Sequence, residues 1–389
     1  MSPSATGVAV EAVRLAPEAS TVEIRPVASR QELRAFVRFP YRIYRDRPAW
    51  VPPLEIERLA FLDRSKNSFF RHSEAELFLA FRDGESVGRI AAIENRRHLQ
   101  TYGDGTGFFG FFESVDDQVV AGALVGRAAD WARSRGLTRL RGPASFTIND
   151  ECGLLLDAYD RPPVLMMSYN PPYYVELLEG LGFVKAQDLY AFRMEVPAEL
   201  PRRLAAAETL AARRGFVVRK LDFSRLGEEI ERVHRVHSQA WAENWGAVPL
   251  TREEVAALAR ELVPIADRDL VYLAERNGEP VGVSVTVPDL NQALARAGGR
   301  LLPFGWLRLL LARRRIDVVR VLILGVLAPY RHDGIDAAFY AWTMKTARRK
   351  GYRWGEMSWI LESNQPMLRV LERLGAERYK TYRIYDLAL

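Results

Sequence analysis

The chain has 389 residues, enough for two or three domains each with its own core, and 48% of its side chains are hydrophobic, as in soluble globular proteins. Its one cysteine, Cys152, excludes an intrachain disulfide and a cysteine-based metal cluster, in keeping with a reducing compartment. The formal charge of +6 favours an anionic partner, whether nucleotide cofactor, anionic membrane or nucleic acid, and no apolar run reaches the ~20 residues of a membrane span.

Residues 1–20 lack a basic segment followed by an apolar core and read as a disordered leader, so a cytoplasmic location is expected. Residues 22–27 alternate as a first strand, and Ser29-Arg-Gln-Glu32 opens a helix with a capping signature. Tyr41 to Phe70, rich in Pro, Trp and Arg around Trp50-Val-Pro-Pro53, reads as a lid or wall without regular structure. Glu76–Phe81 and Ser86–Ile93 flank the turn dipeptide Asp83-Gly84 and form a hairpin. An aromatic strand, Phe108–Glu113, and a helix, Val119–Arg135, follow. Ser114-Val-Asp-Asp-Gln118 between them has two acids and neither glycine nor arginine, so it would not hold a phosphate. After a strand at Leu137–Arg141 comes a polar, Pro-rich insertion, Ala144–Tyr169, with Asn149-Asp-Glu-Cys-Gly153 and Asp157-Ala-Tyr-Asp-Arg-Pro-Pro163; such loops are often functional. An aromatic strand, Leu189–Val196, closes this half, and residues 197–204 read as a linker.

The second half repeats the first in order. Ala132-Arg-Ser-Arg-Gly136 parallels Ala347-Arg-Arg-Lys-Gly351, Asn170-Pro-Pro172 parallels Asn364-Gln-Pro366, and Asn277-Gly278 sits in a hairpin matching that of Asp83-Gly84. Two modules follow, 21–196 and 205–389. The second opens with a strand, Phe216–Leu221, a helix, Leu226–Ala242, bearing His234 and His237, and a capped helix from Thr251. Leu301–Arg315 combines large apolar residues, Trp306 and a terminal Arg313-Arg-Arg315, which fits an interfacial helix lying on a membrane; the competing reading is a helix packed on its own domain. The arginine cluster has no interleaved aromatics and does not read as a nucleic-acid contact.

Val318–Leu327 is an apolar strand stopped by Pro329, and apolar spacing at Ala338, Tyr340, Ala341, Met344 and Ala347 starts a helix that runs to Lys350. Arg331-His332-Asp333-Gly334-Ile335-Asp336 therefore lies at a helix N-terminus, where unpaired N–H groups and the dipole favour an anion. Next come a strand, Tyr352–Leu361, then Glu362-Ser-Asn364-Gln-Pro366, a helix, Met367–Leu374, and a final strand, Arg378–Asp386. The loop and this order resemble the GNAT superfamily of acyl-CoA N-acyltransferases, whose pyrophosphate loop runs Arg/Gln-x-x-Gly-x-Gly/Ala. The resemblance implies a mixed α/β fold of two tandem GNAT-like modules, the first without its phosphate loop. It also implies acyl-CoA as co-substrate, with Val326, Leu327 and Arg331 to Asp336 around the pyrophosphate and Asn364 beside the pantetheine. The chain departs from the family at Asp336, where a small residue is usual, and at Leu371, where many members place an acidic tyrosine.

An alkyl amine, with a pKa near ~10.4, must lose a proton before it attacks a thioester. By period-two alternation Glu356 and Ser358 share one strand face, with Met357 and Trp359 on the other, and Glu356 is the first candidate base. Glu362, next to Asn364, is the second. His234 and His237 lie three apart on a helix without a marked third ligand, so no metal is expected. Asp150 and Glu151 would raise rather than lower the pKa of Cys152. The resemblance implies acyl-CoA-dependent transfer to a primary amine, the interfacial segment points to a lipid amine or a long acyl chain, and a sphingoid base is a specific acceptor that the resemblance, not the residues, implies. Two other readings remain open: a Fem-type transferase using aminoacyl-tRNA, which the basic charge would serve, and an acyl-CoA sensor without turnover, which Asp336 and Leu371 favour.

Overall fold

The computed structural model describes residues 21–389; the expected leader, 1–20, lies outside them. In the first half, strands β1 (Glu23–Pro26), β2 (Glu74–Arg82), β3 (Glu85–Glu94), β4 (Thr106–Ser114) and β5 (Arg139–Gly142) alternate with helices α1 (Arg30–Ile43), α2 (Glu55–Phe61), α3 (Arg96–Tyr102) and α4 (Gln118–Arg133). The insertion supplies three two-residue strands, β6 (Ala144–Ser145), β7 (Glu151–Cys152) and β8 (Leu154–Leu155). Helix α5 (Tyr174–Glu179) and strand β9 (Val184–Glu195) end this half.

The second half runs α6 (Arg202–Arg213), β10 (Phe216–Lys220), α7 (Leu226–Ala240), α8 (Arg252–Leu262), β11 (Val271–Arg276), β12 (Glu279–Pro288), α9 (Asn291–Ala297), α10 (Gly305–Arg313) and β13 (Val318–Val326). It closes with α11 (Ile335–Lys350), β14 (Trp354–Leu361), α12 (Gln365–Arg373) and β15 (Glu377–Ala388). The Asp83-Gly84 and Asn277-Gly278 turns both have positive φ at each residue, as a tight hairpin between right-twisted strands requires. Helix α6 begins inside the stretch read as a linker, and α2 lies within the Tyr41–Phe70 wall.

One continuous sheet joins the halves in the order β1-β2-β3-β4-β5-β15-β9-β14-β13-β12-β11-β10. Each half's last strand has crossed to the other: β15 pairs with β5 (Tyr385↔Gly142), β9 pairs with β14 (Glu356↔Arg193), and the two exchanged strands pair antiparallel in the middle. Among the described residues each half has one parallel pair, and it parts early. β4 and β5 separate after Phe108↔Arg141, and β13 and β14 after Val321↔Met357, although all but β5 continue for several residues.

Helices α6, α11 and α12 cover one face of the second half, packing through Leu204, Tyr340, Met344, Met367 and Leu374. Helices α7 and α8 cover the other, against Val283, Val285 and Val287. The expected alternation on β14 holds from Glu356 to Ser358 and then breaks. Ser358 and Trp359 together oppose Ala191 of β9 as a bulge, so Trp359 packs beside Tyr379 and Met167 rather than joining Met357, which meets Leu371 on the α12 side.

Candidate functional site

Beyond Val321, β13 keeps its bonds to β12, from Ile323↔Val285 to Val326↔Gly282, but has no partner on the β14 side. Main-chain groups on that edge are open to an extended ligand. The strand leads into the loop before α11, where Gly334 has φ 82° and a Cβ there would lie 3.2 Å from the Ala207 carbonyl oxygen. The first N–H groups of α11 have no acceptor within the helix. Opening and cradle fit an elongated, pyrophosphate-bearing molecule.

Charge at the loop is mixed. Arg331 donates to the carbonyls of Val326 (3.4 Å) and Ala240 (3.2 Å) and faces Glu243 at 3.6 Å, which ties the loop to the end of α7. Arg214, just after α6, binds the His332 carbonyl (3.1 Å) and the Asp333 carboxylate (2.5 Å). Half-buried Asp336, in the first turn of α11, has its carboxyl raised by burial, while the main-chain N–H groups of Ala337 and of Asp336 itself act the other way. Its carboxylate thus shares donors that a phosphate would use. The Leu327 N–H is taken by the Val281 carbonyl at 2.9 Å and is not free for a ligand.

The three expected catalytic residues are not brought together. Asn364 caps α12, accepting from the Met367 N–H at 3.2 Å. Glu362 accepts from Lys185 (2.6 Å) and the Asp188 N–H (3.1 Å) in a surface ion pair. Glu356 has no exposed surface: the Ser358 hydroxyl donates to one oxygen at 2.5 Å and the Tyr379 hydroxyl donates to the other. Buried Leu371 offers no proton. His234 bonds the Leu250 carbonyl at 2.9 Å, whereas His237 stacks on Trp241 with centroids 4.5 Å apart, and burial pushes it down to about 4. The two histidines serve different partners.

Around Glu356 lies a set of buried charges that sequence reasoning passed over. Arg320 donates to the Leu165 carbonyl at 2.6 Å, Lys380 to the carbonyls of Arg161 (2.9 Å) and Pro162 (2.8 Å), and Asp289 accepts from the Leu165 N–H at 2.8 Å. Asn291 adds a bond to Pro163 at 2.9 Å. All four hold the main chain of the first half's insertion onto the second half, at β13, β15 and the junction of β12 with α9. Their signal was present, a lone arginine inside the apolar run Val318–Leu327 and a lysine inside the last aromatic strand, since such residues are buried only when paired or hydrogen-bonded. Burial lowers the Lys380 ammonium to about 8, with Glu356 and Asp289 opposing that shift.

Between the halves lies an open cavity of about 740 Å³. Helix α2 and the insertion form one side, residues 246–250, α8 and α9 the other. Its size is that of a small-ligand site.

No protein-family model matches the chain. It is 37% identical over 375 residues to the bacterial ceramide synthase of Caulobacter vibrioides (strain NA1000 / CB15N), covering 95% of this chain and 98% of that protein. With Protein YghO of Escherichia coli (strain K12) it shares 36% identity over 370 residues, 93% of this chain and 94% of that protein. Among solved structures it is similar to a tandem GNAT protein from the clavulanic acid biosynthesis pathway, with TM-score 0.56, 13% identity, and 95% and 98% of the two chains covered. A GCN5-related N-acetyltransferase from Sphaerobacter thermophilus gives TM-score 0.53 at 15% identity, covering 94% and 95%. These structural likenesses are of fold: two GNAT modules in tandem along nearly the whole chain.

Proposed function

Since this chain belongs to the bacterial ceramide synthase family and is an N-acyltransferase of tandem GNAT fold, we propose that it moves an acyl group from acyl-CoA to the primary amine of a long-chain acceptor, a sphingoid base in the first instance. The observation that carries this reading is the parting of β13 from β14 beside Gly334: an open strand edge leads to a helix N-terminus that a ligand's backbone-close phosphate can approach. Bound there, acyl-CoA supplies the activated thioester. Strand β13 lends its free edge to the pantetheine, Gly334 and the first turn of α11 take the pyrophosphate, and Arg331 adds charge once released from Glu243. With Leu371 in place of a tyrosine, the departing thiolate has no proton donor at that position.

Half of the exposed large apolar side chains among the described residues fall between Leu302 and Leu311, on and just before α10: Leu302 is 78% and Trp306 51% exposed. Arg308, Arg313, Arg314 and Arg315 share this segment. An anionic bilayer is the surface whose chemistry matches both, and it is where a long-chain amine resides.

The test is release of CoA thiol from long-chain acyl-CoA by the purified full chain, with sphinganine and a soluble amine as acceptors and the amide identified by mass spectrometry. Amide formed from sphinganine supports the reading. Tight acyl-CoA binding with no amide from either amine would leave a sensor, and copurifying aminoacyl-tRNA that serves as donor would move the protein to the Fem-type class.

A further inference from the structure

The cavity between the halves has an apolar length and one unusual carboxylate. Its walls include Leu54 just before α2 and Phe61 at its end, Ala257 and Leu258 from α8, and Leu290 and Leu294 beside and within α9. Helix α9 packs against α10, so this apolar wall runs toward the exposed segment. Most ionised groups in the cavity are matched. Arg58 is shared by Glu57 and Glu151, Arg89 faces Glu113, and Glu254 holds both His72 and Arg97. Of the described carboxylates that line the cavity, only Asp150 and Glu261 have no cationic partner, and Glu261 stands exposed.

Asp150 is different. Thr147 binds one of its oxygens through its N–H (3.1 Å) and its hydroxyl (2.8 Å), and no described group binds the other. It lies on the insertion that Arg320, Lys380 and Asp289 fix to the strands of the second half. Cys152, two residues on, belongs to the buried cluster that also holds Val318, Tyr379 and Tyr382, and its carbonyl accepts from Ser168 at 3.0 Å. The carboxylate is therefore held relative to β13. An uncompensated negative charge in a concave, largely apolar site selects a cation.

We propose that this cavity seats the acceptor, a long-chain primary amine, with its alkyl chain between α2 and α8 and its nitrogen on the free oxygen of Asp150. This rests on the N-acyl transfer proposed above. In the reaction one ammonium proton passes to Asp150, the nitrogen then bonds to the thioester carbonyl carbon, and the C–S bond breaks to release CoA thiolate; the second N–H proton leaves to solvent as the amide forms. Burial pushes Asp150 up to about 7, Glu151 on its own segment and Glu254 from α8 add to that, and the Thr147 bonds oppose it. Arg58 and Arg97 are the nearby cations, engaged by Glu151 and Glu254, and the His72 ring bonds Glu254 at 2.9 Å. A base with a pKa near the working pH is well matched to the proton transfer.

The test measures sphinganine binding and turnover separately in the full chain. Ala257→Trp, and Ala60→Phe on the opposite side, should weaken equilibrium binding of sphinganine about tenfold or more, leaving acyl-CoA affinity and the melting temperature near those of the parent. Asp150→Asn should lower kcat about a hundredfold and remove the acid limb of the pH–rate profile near 7. Sphinganine binding indifferent to both wall variants, or an acid limb that survives in Asp150→Asn, would overturn the assignment. If the parent acylates no amine yet binds sphinganine in a wall-sensitive manner, the seat stands while the transferase reading and the role of Asp150 as base fall.

Discussion

Arg320 and Glu356 stand directly opposite each other in the parallel register of β13 and β14, both buried, yet Ser358 stands between them: its oxygen accepts from Arg320 Nε at 3.2 Å and its hydroxyl donates to Glu356 at 2.5 Å. The seryl oxygen turns a bare charge pair into a bonded chain that also reaches Tyr379 and, through Arg320, the insertion. Ser358→Ala removes one donor and one acceptor from groups that cannot reach bulk water. A loss of about 1–3 kcal/mol is expected, seen as a lower urea midpoint at unchanged m-value. A variant within about 0.5 kcal/mol of the parent would mean that this chain of bonds contributes little to stability.

The same residues mark the limit of what the sequence discloses. Hairpins, the strand–turn–helix at 318–350 and the internal repeat are legible because turn dipeptides and apolar periods are local. The exchange of β9 and β15 is not, because a strand's alternation is the same whichever neighbour it pairs with. Glu356 reads as an accessible base on its strand, but in the fold it has no exposed surface and both its oxygens are taken, by Ser358 and Tyr379. Asp150 stands out in the fold for the reverse reason: its segment reads as an acidic stretch, and only the pairing of its neighbours leaves it unmatched.

At the phosphate loop, two substitutions should act in opposite directions. Gly334→Val puts a branched side chain where φ is 82° and the Ala207 carbonyl is already close, so acyl-CoA binding should fall below detection by calorimetry. Asp336→Asn removes a negative charge from the helix end that would face the pyrophosphate, at a cost of about 0.3–1 kcal/mol in helix stability. Tighter acyl-CoA binding is expected. Weaker binding would mean that the pyrophosphate lies elsewhere.

Stability should carry two opposed pH dependences. Burial pushes Asp289 up to about 7, against an unfolded value near ~3.9, so the fold binds a proton that the unfolded chain releases. Its contribution is therefore lost as pH rises from about 4 to about 7 and is flat above. His237, lowered by burial to about 4 against ~6.5 unfolded, works the other way: stability is lost as pH falls through that window. Asp289→Asn keeps an acceptor for the Leu165 N–H, and its melting temperature should rise more steeply than the parent's between pH 4 and 6.5. Parallel profiles would show that Asp289 does not titrate in this range.

The exposed segment around α10 makes the strongest claim about where the protein works. Leu302, Phe304, Leu310 and Leu311 are each more than half exposed, a cost that a purely soluble surface has no reason to carry in one place. Burial in a bilayer boundary yields about 25 cal/mol per Å² of apolar area, and each nearby arginine adds about 1 kcal/mol at an anionic leaflet. Neither contribution alone anchors a chain firmly. Together they should give reversible attachment that rises with anionic lipid and falls with salt, since arginine attraction is screened within a Debye length. Trp306→Ala with Leu310→Ser should abolish flotation with anionic liposomes while leaving acyl-CoA binding intact, because α10 does not contribute to the loop at Gly334. Turnover of sphinganine in liposomes should drop with flotation, and turnover of a soluble amine should not. If parent and double variant float equally, α10 does not hold the protein on the membrane, and a long-chain acceptor would have to reach the cavity from solution.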